Sequence, residues 1–143
     1  APSQLTKAHL ENTRNTIVLG RGFGYAVGRE VALKLKEVLG IHAEAFSSAE
    51  FIHGPVTLVE KKLKLISLNI EDESAPFHQN MVQDVRSRGG ECIDLQGGVT
   101  SPHPRLDALL LMQRFYLDIE KIAVELGLNP DTPPGLNKVT KTQ

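Results

Sequence analysis

Apolar residues fall along this chain in two rhythms. Three short runs, "TIVLG" (16–20), "KLISLNI" (64–70) and "ECIDL" (91–95), are rich in Ile, Val and Leu. The first two are nearly continuous rather than alternating. Strands covered on both faces have this pattern, and they belong to parallel sheets. Between the runs the spacing becomes helical, predicting helices over 24–39, 74–88 and 105–127. In the first of these, Val27, Val31, Leu35 and Val38 recur as one stripe. A basic last turn followed by Gly89-Gly90 stops the second helix, and Gly127 stops the third. Such alternation predicts a three-layer α/β domain whose parallel strands are joined by right-handed crossovers. Residues 1–15 read as a leading segment or linker, 16–128 as a single domain, and the proline-rich 129–143 as an extended C-terminal tail.

Composition narrows the partners. With 143 residues, 41% apolar and 23% charged, the chain has enough material for one real core. A net charge of −1 recommends neither nucleic acid nor an anionic membrane. Apolar runs are too short to span a bilayer, and "APSQLTKAHLENTRN" lacks the apolar core of a secretory signal. Cys92 is alone, so no intrachain disulfide forms and a reducing cytoplasm is the simplest home. In its apolar strand it reads as a small buried hydrophobe. Tryptophan is absent and aromatics are 5%, which argues against a stacking platform for bases or sugar rings. A start at Ala1 without an initiator Met suggests a processed or excised piece.

Three places carry candidate chemistry. "IVLGRGFGYAVGREVALKL" is rich in glycine, but the third position of a dinucleotide fingerprint falls on Tyr25. What survives is a tight strand-to-helix turn at Gly22 and Gly24, whose free amides favour anions. On the helix behind it, Glu30, Lys34 and Glu37 fall within about 60° of one another beside the apolar stripe. They are either a solvent-side ion pair with a bystander or a carboxylate held at the margin of a crevice by a lysine. The third place is His53. Ser47 and Glu50 form a capping-box pattern, predicting a helical turn over 48–53 that Gly54-Pro55 ends. His53 then stands exposed at a stiff corner. The histidines show no zinc-ligand spacing, and neither a metal nor an organic cofactor is expected.

The stretch "GREVALKLKEVLGIHAEAFSSAEFIHGP" resembles, almost position for position, the second half of sugar isomerase (SIS) domain proteins. It is similar in particular to the isomerase domain of the glutamine–fructose-6-phosphate aminotransferases, the glucosamine-6-phosphate synthases. The shared elements are the E-x-x-L-K-x-K-E helix, the I-H-A-E-A strand and the E-x-x-H-G-P corner. The resemblance implies a flavodoxin-like parallel sheet, normally present twice per chain, and aldose–ketose interconversion of hexose or hexosamine 6-phosphates. It implies Glu37 as the group that moves a proton between C1 and C2. It implies His53 as the ring-opening histidine offered across a homodimer interface, and Lys138 as a tail lysine closing over the sugar. Lys34, Glu30 and Asn137 are the implied substrate-side groups. Two departures stand beside it. The family's S-x-S-G-x-T phosphate loop is missing, and "SLNIEDES" in the equivalent place is acidic, so a preceding SIS half is expected to complete the site. The Pro-His-Pro step and the ending "LNKVTKTQ" are closer to tandem SIS proteins without a glutaminase domain, which include amino-sugar-phosphate deaminases and isomerases. Synthesis and deamination both remain open, as does a non-catalytic, sugar-phosphate-binding regulatory module.

Overall fold

The computed structural model describes residues 4–53, 59, 64–97 and 103–128. Four strands, β1 (Asn15–Gly20), β2 (His42–Ser47), β3 (Lys64–Asn69) and β4 (Glu91–Gln96), form one sheet in the order β2-β1-β3-β4. Every pair is parallel. Among the described residues five helices accompany it: α1 (Lys7–Leu10), α2 (Phe23–Leu39), α3 (Ser48–Phe51), α4 (Ala75–Ser87) and α5 (Pro104–Glu125). The predicted α/β architecture is the observed one, and the sheet order is the flavodoxin-like order.

The strands bury both faces because successive side chains point to opposite sides. Val18, Ile66 and Leu68 meet α2 and α5 through Val31, Leu35, Leu111, Phe115 and Ile119. Their neighbours Ile17, Leu19 and Leu65 meet Phe51 of α3 and Met81 and Val85 of α4 on the other side. Chain direction explains the division. From the central β1/β3 pair, the crossover through α2 moves outward to β2 and the one through α4 moves the opposite way to β4. With a constant hand, the two helices must land on opposite faces.

Local chemistry fixes the end of α2 and the start of α5. Gly40 closes α2 in the left-handed conformation (φ 67°); its amide and that of Ile41 donate to Lys36 and Leu35. His103 caps α5, its ring accepting from the Arg105 amide at 3.2 Å, with Pro104 at the first helical position.

Residues 4–14 pack onto the domain. Leu5 and Leu10 are buried in the α2/α5 core. Asp118 of α5 accepts from the amides of Gln4 and Leu5 at 3.1 and 3.0 Å. The Gln4 side chain also pairs with the backbone of Gln96, donating to its carbonyl at 2.8 Å and accepting from its amide at 2.7 Å. It thereby occupies the last hydrogen-bonding position of the free edge of β4. Cys92 is half-buried rather than enclosed, because β4 is an edge strand with α4 covering only part of it. Burial still pushes its thiol up to about 11, against a smaller opposing pull from Arg86.

Candidate functional site

The Glu30–Lys34–Glu37 cluster forms as the helical spacing requires. Lys34 Nζ lies 3.6 Å from Glu30 Oε1 and 3.5 Å from Glu37 Oε2, and all three side chains are about one-third exposed. Burial pulls the Lys34 ammonium down, but Glu37 and Glu30 outweigh it and its pKa stands above the ordinary lysine value. One ammonium therefore bridges two carboxylates on one flank of α2. A carboxylate so held is a base with a fixed position. Tyr116 of α5 completes the cluster, its hydroxyl donating to Glu30 Oε1 at 3.1 Å. Burial and this carboxylate contact raise the Tyr116 pKa. Sequence spacing could not find Tyr116, because it reports one helix at a time and not that α5 lies beside α2.

Large apolar side chains are exposed on the same two helices. Phe23 and Leu33 of α2 are 40% and 43% exposed, and Leu106, Leu109 and Leu117 of α5 are 47%, 67% and 63% exposed. Beside this face, along α2 and β2, runs an open cleft of about 570 Å³ that Arg29, Glu30, Lys36 and Glu44 line.

His53 follows α3, which forms as expected: the Ser47 hydroxyl accepts from the Glu50 amide at 3.1 Å, and the His53 amide donates to the Glu50 carbonyl. Phe51 is fully buried against Phe46, and the His53 side chain is exposed. The cluster and His53 are not brought together within one chain. Glu37 lies in the last turn of α2, just before β2 begins, whereas His53 lies beyond the end of β2. Six residues of extended chain separate these levels, about 20 Å of strand. Gly54-Pro55, Asn137 and Lys138 lie outside the described residues.

At the switch point between β1 and β3, the glycine turn is as tight as the sequence suggests. A Cβ on Gly20 would stand 2.3 Å from the Gly24 carbonyl oxygen, and Gly22 has φ +60°. The space in front of Gly22 is not free for an anion, however: a Cβ there would meet Asp72 Oδ2 at 2.8 Å. The acidic segment after β3 has its own partners. Asp72 Oδ1 accepts from the Ser74 amide at 2.9 Å, and the Glu71 amide donates to buried Asp107 at the same distance. This loop is built to hold itself, not a phosphate.

Residues 9–114 match the SIS domain family. The chain belongs to that family. It is 34% identical over 94% of its length to the glutamine–fructose-6-phosphate aminotransferase [isomerizing] of Lactiplantibacillus plantarum, of which it spans 24%. With the same enzyme of Pseudomonas putida it shares 40% identity over 87% of its length and 23% of the relative. This SIS domain thus covers about a quarter of those relatives. The C-terminal domain of glucosamine-fructose-6-phosphate aminotransferase from Francisella tularensis superposes with a TM-score of 0.75 and 27% identity, covering 89% of this chain and 40% of that one. Glucosamine-6-phosphate deaminase from Thermotoga maritima shares the fold, with a TM-score of 0.70 at 24% identity over 90% of this chain and 41% of that one.

Proposed function

We propose that this SIS domain supplies half of a sugar-phosphate isomerase site acting on hexose or hexosamine 6-phosphates, with amino transfer or deamination coupled to the isomerisation. One observation carries the proposal: a lysine-clamped pair of carboxylates, Glu30 and Glu37, on one flank of α2. Moving hydrogen between C1 and C2 through an enediol or enolamine needs one carboxylate that removes a proton and returns it on the same face. Glu37 takes that role. Lys34 pairs with it and adds positive charge near the developing enolate, and Glu30 fixes Lys34. Lys138 and Asn137 of the tail close over the sugar, and His53 serves ring opening, for which an exposed imidazole can pass a proton to and from the ring oxygen.

The same geometry supports the proposed partners. The apolar rim of Phe23, Leu33, Leu106, Leu109 and Leu117 seats the preceding SIS half of the same polypeptide, which brings the phosphate loop that this half lacks. Because His53 and Glu37 stand about a strand's length apart, His53 acts in a neighbouring subunit of a homodimer.

The test is hydrogen exchange at C2 of a hexosamine 6-phosphate by the full-length protein. Glu37→Gln is expected to abolish exchange while leaving sugar-phosphate binding within about threefold, since the amide keeps the shape and loses the base. Exchange persisting at the wild-type rate would sink the isomerase reading and leave a regulatory, sugar-phosphate-binding module in its place.

A further inference from the structure

A polar chain crosses the otherwise apolar layer beneath α3 and α4. His78 of α4 is 3% exposed, with its Nε2 2.8 Å from the hydroxyl of Ser67 on β3 and its Nδ1 3.3 Å from the hydroxyl of Ser48, the first residue of α3. Ser67 and Ser48 are 0% and 2% exposed. A neutral imidazole offers one donor and one acceptor, and a hydroxyl can take either role, so all three groups are satisfied in one continuous direction. Water reaches none of them, so neither bond has a solvent substitute. Apolar groups of the same shape could fill this space. A buried chain of hydrogen bonds instead adds a directional restraint that packing alone does not give.

What the restraint acts on is α3. Four residues cannot hold a helical turn by themselves. Two anchors fix it to the domain: Phe51 at its end, sunk in the α4 core, and Ser48 at its start, tied through His78 to the sheet. One anchor sets the depth of the turn; two set its rotation, and His53 projects two residues past the second. We propose that the Ser67–His78–Ser48 chain sets the orientation of α3 and so aims the His53 ring, which makes His78 a positioning residue for the reaction. Its consequence for turnover rests on the role given to His53 above; its consequence for α3 does not.

Substitutions at His78 in the full-length protein separate these possibilities. Asn places its amide near the position of Nδ1 and keeps the Ser48 partner, whereas Gln reaches the position of Nε2 and keeps Ser67 instead. Leu keeps neither. Deuterium exchange of the backbone over residues 46–53 is expected to quicken about tenfold in His78→Gln and His78→Leu and to stay near wild type in His78→Asn, with β1 unchanged in all three. The ratio of turnover on cyclic sugar to turnover on an open-chain analogue should fall about tenfold in the same two variants, as in His53→Ala. Equal exchange in the Asn and Gln variants, or wild-type exchange in His78→Leu, overturns the anchoring. If exchange follows the expected order while the ratio moves only in His53→Ala, the catalytic consequence is rejected. A ratio unmoved by His53→Ala itself defeats the earlier assignment of His53, and the exchange order then decides the α3 anchor alone.

Discussion

His78 shows how one buried side chain couples fold to solution conditions. Burial lowers its pKa from the ordinary 6.5; Asp94 and Asp72 oppose this and Arg21 adds to it. The folded chain therefore takes up this proton less readily than the unfolded chain. Stability attributable to His78 is complete above about pH 6.5 and is lost as pH falls below that value toward the lowered folded pKa. The loss is at most about 1.4 kcal/mol per pH unit. Urea unfolding between pH 7.5 and 5.5 should show this added slope in the wild type and lack it in His78→Asn. No spacing argument singled out His78, because its partners come from β3 and α3, distant in sequence. Glu30, Lys34 and Glu37 were legible for the opposite reason: their contact is set by helical period alone.

At the scale of elements, the sequence was informative wherever one segment decides its own state. β1 and β3 appear as nearly unbroken apolar runs because both their faces are covered, α2 follows its apolar stripe, and glycines with positive φ follow α4 and α5. Two things were not written locally. Leu5 and Leu10 are buried in the core, and Asp118, more than a hundred residues away, receives the amides of Gln4 and Leu5. The solvent side of α5 is the other: Leu106, Leu109 and Leu117 recur along it without a partner among the described residues. Their exposure separates stability from assembly. Leu109→Glu with Leu117→Glu removes almost no buried surface within the domain, so its unfolding free energy should change by less than about 0.5 kcal/mol. Full-length protein carrying both should lose catalytic activity, with the two halves becoming separable by limited proteolysis. Unchanged activity and resistance would remove this face as the seat of the preceding half.

For the molecule as a whole, the governing fact is that β2 separates its two chemical ends. The carboxylates gather where β2 begins and the imidazole stands past where it finishes. On the function proposed above, such a protomer would lend one reagent to itself and export the other. Genetic complementation between crippled copies follows. Equal amounts of Glu37→Gln protein, inactive alone, and His53→Ala protein, about tenfold slowed on cyclic sugar, should reach about a quarter of wild-type turnover on cyclic sugar once their subunits reassort, because half of the dimers are mixed and each mixed dimer rebuilds one of its two centres. No recovery from a population verified as mixed would mean that each copy supplies its own imidazole. Recovery would make every working centre a joint possession of two chains.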